Sequence, residues 1–239
     1  MKSDKINKIT ERFVLNSDSG FASLPEKVKE AFVSQMIVKQ FKKGQNLFVE
    51  GSFPSGIYFI KKGKIKKYKT LNGGKEQIIY LCGEGELIGY AAFLGEERYP
   101  DSAATLTDAS IGFISKEKLV RLLDQHDELS KMLMKNLSHE FGVLVNFIAT
   151  FTQKSVRERV ALALLILYEK FKGRNDLESD VQIILTREDF ANIVGTAVET
   201  LVRLLRDFKE EKLIETQGRK IIIKNMQKLL EIADITDTF

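Results

Sequence analysis

The spacing of hydrophobic and polar positions changes several times along the 239 residues. From Ile37 to Phe113, short β-branched and aromatic runs such as Ile57-Tyr58-Phe59-Ile60, Ile65-Lys66-Lys67-Tyr68 and Ile78-Ile79-Tyr80-Leu81 alternate with glycine turns. The turns fall at Lys43-Gly44, Glu50-Gly51, Lys62-Gly63, Asn72-Gly73-Gly74 and Gly83-Glu84-Gly85. Strands about 8 to 12 residues apart with this punctuation predict a small antiparallel roll or barrel. Upstream, a tail and short helices are expected to about residue 34, with Phe21, Leu24, Val28, Ala31 and Phe32 turned inward. Downstream the period becomes helical: a short helix from Ser115 or Lys116 to Leu123, then a long one from about Glu128. The long helix carries Met134, Leu137, Phe141, Leu144, Ile148 and Phe151 at spacings of 3, 4, 3, 4 and 3. That is the seam of a two-chain coiled coil and predicts a dimer interface.

Thr152-Gln153-Lys154 interrupts the helical pattern, and a hinge is expected there. Ser155 and Glu158 then form a capping box that opens a new helix through about Phe171. A polar loop from Gly173 to Asp180 and a short strand from Val181 to Leu185 lead to the most informative stretch. There Thr186 can cap a helix with Asp189 three residues on, and Phe190, Ile193 and Val194 give that helix a buried face. Gly195 supplies a turn, and Thr196 is expected to cap a second helix whose core stripe is Leu201, Leu204, Leu205 and Phe208. A tight basic turn at Gly218-Arg219-Lys220, the strand Ile221-Ile222-Ile223 and a final helix from Met226 to Ala233 complete a winged helix-turn-helix pattern. The second helix of such a unit enters the major groove of DNA. Its early outward face would be Ala197, Val198, Glu199, Thr200 and Arg203. Arginine can bond guanine O6 and N7 together, and glutamate accepts from cytosine N4. The plainer alternative for Glu199 and Arg203 is an exposed helical ion pair, or a capping role for Glu199. The surrounding pattern favours base reading.

The expected fold class is therefore α+β. An N-terminal double-stranded β-roll spans residues 1–126, a dimerisation helix residues 127–153, and a winged helix-turn-helix residues 154–239. Composition narrows the function. Formal charge is +4, from 37 Lys and Arg against 33 Asp and Glu, but the segment from Thr152 onward holds 15 of each. DNA binding must then rest on local placement of Arg187, Arg203, Arg206, Arg219 and Lys220. The single cysteine, Cys82, precludes a disulfide framework and a cysteine-rich metal site, and is expected to be an inert packed thiol, with redox sensing as the alternative. The Met1-Lys2-Ser3-Asp4-Lys5 start shows no secretory signal, and no run is long enough for a membrane span, so a cytoplasmic protein is expected. A cupin-like enzyme would need clustered histidines in the roll, whereas His126 and His139 lie in the helical region, so no enzyme and no metal are expected. Lys61, Lys62, Lys64, Lys66, Lys67 and Lys69 crowd one hairpin, expected to be a solvated, edge-protecting face or else a contact for flanking DNA or RNA polymerase.

A roll, a long seam-bearing helix and a winged helix-turn-helix, in that order, resemble the CRP/FNR family of bacterial transcription regulators over nearly the whole chain. The specific pieces are Phe41-Lys42-Lys43-Gly44 with Glu50-Gly51, Gly56-Ile57-Tyr58-Phe59-Ile60 with Gly63, and Gly85-Glu86-Leu87-Ile88-Gly89. Gly195, Glu199, Thr200, Arg203, Leu204 and Leu205 also fall where the family has them. The resemblance implies that Glu199 and Arg203 contact bases, and that Thr186, Arg187, Thr196 and Thr200 contact or position phosphates. It also implies that the wing around Gln217 to Arg219 touches the backbone. Val198 is similar to the FNR branch, where the CRP branch has arginine, and a TGA-containing inverted repeat is the implied target. A homodimeric regulator, mainly an activator with RNA polymerase as a partner, is implied. The effector pocket would be formed by Gly89, Tyr90, Ala91, Arg98, Asp101, Ser102 and Leu144. Here the chain departs from members that bind cyclic AMP. Tyr90 stands where they have the ribose-binding Glu, Asp101 where they have the phosphate-binding Arg, and Leu144 and Val145 where two polar purine contacts lie. Asp101 would repel a phosphate, so cyclic AMP binding is not expected; the substitute phosphate ligand would be Arg98, folded inward. The alternative is a cyclic-nucleotide-responsive regulator with an atypical pocket. One cysteine cannot hold the iron–sulfur cluster of the FNR branch, and the roll offers haem no histidine, so no cofactor is expected and the effector stays unnamed.

Overall fold

The structure, a computed structural model, describes residues 12–13, 20–172 and 181–234. The predicted N-terminal tail and the polar loop Gly173 to Asp180 fall almost wholly outside them. The chain forms two compact units, residues 15–142 and residues 143–239, with Arg12 and Phe13 belonging to the second.

In the first unit a short 3-10 turn (Phe21–Ser23) and helix α1 (Glu26–Ser34) precede strands β1 (Ile37–Phe41), β2 (Asn46–Phe48), β3 (Gly56–Lys62), β4 (Ile65–Thr70), β5 (Glu76–Cys82) and β6 (Leu87–Ile88). Helix α2 (Tyr90–Leu94), strands β7 (Ser102–Thr105) and β8 (Ala109–Ser115), helix α3 (Lys116–Gln125) and the part of helix α4 (Asp127–Gln153) up to Gly142 follow. The strands make two four-stranded antiparallel sheets, ordered β1-β8-β3-β6 and β2-β7-β4-β5. Turns at the predicted glycines set this roll. Its helical side is sealed by Val28 and Phe32 of α1, Leu119 and Leu122 of α3, and Leu129 and Leu133 of α4, clustered on Ile57, Leu87 and Ile114.

The lysine hairpin differs from its expected edge role. Both β3 and β4 are interior strands, and Lys66, Lys67 and Lys69 have acidic partners. Lys66 pairs with Glu76 and Lys69 with Glu50, while Lys67 is turned inside the roll. The physical reason is the two-residue period of a strand: Lys67 shares a face with Ile65, which is fully buried. Lys61 and Lys62 at the hairpin end stay exposed.

In the second unit, helix α5 (Val156–Phe171) opens with the predicted Ser155–Glu158 capping box. The Ser155 hydroxyl and backbone N–H hold the Glu158 carboxyl below the usual carboxylate range. Every residue from Val160 to Tyr168 is buried. A helix apolar all round belongs at the centre of its unit, and α5 is packed by α6 (Arg187–Val194), α7 (Val198–Glu210) and α8 (Met226–Ala233). A small antiparallel sheet, β10 (Ile214–Gln217), β11 (Lys220–Ile223) and β9 (Ile183–Ile184) in that order, forms the wing.

Candidate nucleic-acid interface and sensor pocket

Helix α6 begins as the sequence requires: the Thr186 hydroxyl accepts from Asp189 N–H at 3.0 Å and donates to Asp189 Oδ2 at 2.6 Å. It ends at Gly195, whose φ of 69° and ψ of 49° lie in the left-handed region that a side chain disfavours. The N–H groups of Gly195 and Thr196 both return to the Ala191 carbonyl. Thr196 is thereby used in closing α6, and the N-cap of α7 is Ala197 rather than the predicted Thr196. Leu201, Leu204, Leu205 and Phe208 are buried, which turns the other face of α7 outward. Ala197, Val198, Glu199, Val202, Arg203 and Arg206 are exposed and Thr200 is half-buried. Among the described residues Glu199 and Arg203 share no ion pair and Arg203 has none at all; the i, i+4 pair of this helix joins Arg206 to Glu210 at 3.9 Å instead. The wing tip presents Gln217, Gly218, Arg219 and Lys220 to solvent. Arg187, half-buried at the start of α6, donates from Nη2 to the Gly218 carbonyl at 2.9 Å and ties the wing to the helix pair. Burial lowers its pKa from the ordinary arginine value. At its other end α7 is fixed by Arg157, whose Nη2 lies 2.7 Å from both Glu211 carboxylate oxygens and whose guanidinium sits 4.7 Å over the Phe208 ring.

Along α4, five of the six predicted seam residues are exposed: Met134 57%, Leu137 39%, Phe141 69%, Leu144 41% and Ile148 65%. Phe151 is half-buried, beneath the Arg159 guanidinium at 5.0 Å.

The residues expected to form an effector pocket behave differently. Gly89 takes a φ of 84° and starts α2; a Cβ there would stand 3.3 Å from the Tyr99 hydroxyl. Tyr90 is 1% exposed and donates to Glu140 Oε1 at 2.6 Å. Asp101 is 5% exposed and lies 3.4 Å from Lys67 Nζ, which is also 3.4 Å from Glu140 Oε2. Burial lifts the Asp101 carboxyl above its ordinary value, against the pull of Lys67. Burial also pulls the Lys67 ammonium down, but Glu140 and Asp101 outweigh it and hold it above its ordinary value. Burial, then Glu140, push the Tyr90 phenol upward, so it stays a donor. The Ser102 hydroxyl accepts from Glu50 N–H at 2.9 Å. Arg98 does not fold inward: it is exposed, donates to the Gly51 carbonyl at 2.7 Å and lies 4.0 Å over the Phe53 ring, a position that keeps its charge hydrated. Leu144 stands with the seam, and Ala91 is half-buried on α2. Cys82 is buried at 1% exposure.

Residues 38–126 match the family described as cyclic nucleotide-binding domain, and residues 158–232 match the Crp-like helix-turn-helix domain. The fumarate and nitrate reduction regulatory protein of Vibrio cholerae is 31% identical over 198 residues, covering 83% of this chain and 79% of that protein. The chain belongs to the CRP/FNR family of transcription regulators. The transcriptional activator protein anr of Pseudomonas aeruginosa is 28% identical, over 82% of this chain and 80% of its own. The fold is shared with FixK2 of Bradyrhizobium japonicum (TM-score 0.73, 19% identity, 84% of this chain and 98% of that one). It is also shared with the c-di-GMP responsive regulator CLP of Xanthomonas campestris (TM-score 0.72, 18% identity, 83% and 99%).

This CRP/FNR regulator is a DNA-binding protein through its helix-turn-helix unit. Among the described residues, no helix is long and apolar enough to cross a membrane and no cluster of three or more His, Cys, Asp or Glu is placed to hold a metal. Sequence reasoning marked Tyr90 and Asp101 but missed their partners Lys67 and Glu140. Lys67 carried a signal, its two-residue spacing from Ile65. Glu140 carried none: a glutamate beside a seam reads as an ordinary solvated flank.

Proposed function

We propose that this CRP/FNR regulator is a homodimer, acting mainly as an activator, that reads a TGA-containing inverted repeat in double-stranded DNA and contacts RNA polymerase. In this reading residues 1–126 are a sensor roll, residues 127–153 pair two protomers, and residues 154–239 bind DNA in the cytoplasm. Val198, Glu199 and Arg203 face base edges, with Arg203 on guanine and Glu199 on cytosine. Thr186, Arg187, Thr196 and Thr200 contact or position phosphates, and Gln217 and Arg219 bring the wing to the backbone. Paired recognition helices would meet successive major grooves about 34 Å apart, which is why an inverted repeat is the target. The observation that carries the reading is the outward, unpaired Arg203 beside exposed Glu199 on a helix whose opposite face is buried. The exposed seam of α4 supports pairing, since apolar side chains at this spacing want a second helix.

The effector-pocket residues Gly89, Tyr90, Ala91, Arg98, Asp101, Ser102 and Leu144 do not take cyclic AMP in this reading. A carboxylate occupies the phosphate position and is already partnered by Lys67. Two measurements test the proposal. Selection of bound sequences from random DNA, with and without cell extract, should enrich an inverted repeat containing TGA; no enrichment under either condition refutes it. Titration calorimetry with cyclic AMP and cyclic GMP should show no binding, and micromolar affinity would instead favour a cyclic-nucleotide receptor with an atypical pocket.

A further inference from the structure

Inside the roll, four segments remote in sequence meet through charged or hydroxyl groups: Lys67 on β4, Tyr90 on α2, Asp101 before β7 and Glu140 on α4. The side chains of Lys67 and Glu140 are 15% and 13% exposed. Such a cluster is a poor device for stability. Charges removed from water lose hydration, and apolar side chains of similar volume serve a core as well or better. The cluster gives direction instead. It joins the two positions that resemble ribose and phosphate contacts, Tyr90 and Asp101, to the long helix through Glu140. A small molecule lodged between those walls would make the same connection.

We infer that Lys67, Tyr90, Asp101 and Glu140 are positioning residues forming a built-in bridge that fixes the long helix against the roll in place of a diffusible effector. The inference rests on the proposed reading that α4 pairs two protomers and that the roll does not take cyclic AMP. Its link to DNA binding is geometric. Phe141, the most exposed seam residue, follows Glu140 directly, and successive helical residues are about 100° apart around the axis. Holding Glu140 to Lys67 and Tyr90 therefore sets the rotation at which Leu137, Phe141 and Leu144 face a partner helix. Releasing it lets that face turn or fray, and the distance between two recognition helices loses its definition.

The test uses the full chain, unfolded in denaturant and refolded without small molecules so that no carried ligand survives. Binding to the selected inverted repeat is read by fluorescence anisotropy, the dimer dissociation constant by sedimentation, and folding by circular dichroism. Refolded wild type should bind the repeat without any addition as tightly as it does with cell extract. Lys67→Met and Glu140→Gln should each stay folded and weaken both pairing and repeat binding by about tenfold, within the usual range of coupling between sites. The double variant should lose less than the sum of the two singles, because both break the Lys67–Glu140 contact. Tyr90→Phe removes only the hydroxyl and should shift both constants the same way by less; it decides the matter if Lys67→Met does not fold. Unchanged constants in the folded variants, additive losses, or a refolded wild type that needs extract would overturn the bridge alone. A wild type that binds no inverted repeat in any preparation overturns the regulator reading and the bridge with it.

Discussion

At the scale of single residues, the exposed face of α7 offers few groups, and their chemistry can be separated. Arg203 is exposed and unpaired among the described residues, so a base edge can take its fork without first breaking an ion pair. Arg203→Ala is expected to relax preference at one base pair per half-site and to cost about 1–3 kcal/mol there, read by competition with singly substituted repeats. Uniform weakening on all sequences would instead mark Arg203 as a phosphate contact. Arg187 has a different environment, with Nη2 bonded to the wing carbonyl of Gly218. Thr196 shows how local rules compete. A threonine after a turn glycine reads as an N-cap, yet its backbone N–H closes the preceding helix and the cap passes to Ala197.

At the scale of elements, the long helix carries two faces with opposite demands. Glu140 is drawn into the roll while its neighbour Phe141 is exposed. The 3-4 spacing made the second face legible from sequence, because apolar residues on one side of a helix leave a periodic trace. Phe141→Glu should keep the fold of the chain and raise the dimer dissociation constant by about 100-fold, the scale of losing a central interface anchor. Sedimentation equilibrium over a range of concentrations would show it, and an unchanged constant would place the seam elsewhere. The helix-turn-helix was legible for a similar reason: Thr186, Gly195 and the Leu201, Leu204, Leu205 stripe each act within a few residues of themselves. The β4 hairpin was not. Whether a lysine-rich strand is an edge or an interior strand depends on β5 and β7, which flank β4 on its two sides.

At the scale of the whole molecule, charge is an unreliable guide. The positive excess lies before Thr152, while the segment from Thr152 onward, which contains the helix-turn-helix, is balanced at 15 of each sign. Affinity for DNA should thus depend on a small set of wing and helix cations, Arg187, Arg219 and Lys220 in each protomer. A pair of protomers would neutralise about six phosphates, for a slope of about −5 in log affinity against log salt concentration. A slope near −10 would bring further lysines, such as the exposed Lys61 and Lys62, into contact with DNA.

The sequence by itself determined the order of elements, the helix-turn-helix, the apolar stripe of the long helix and the identity of the side chains at Tyr90 and Asp101. Those features are written in local spacing, in caps and in the identity of single side chains. Only the tertiary structure decided which charged and hydroxyl groups meet inside the roll. Lys67, Tyr90, Asp101 and Glu140 lie on four segments, and Lys67 and Glu140 are 73 residues apart in the chain. Burial turns such distant groups into partners because each charge taken from water must find its counter-charge inside the fold, and no periodicity records which one it finds.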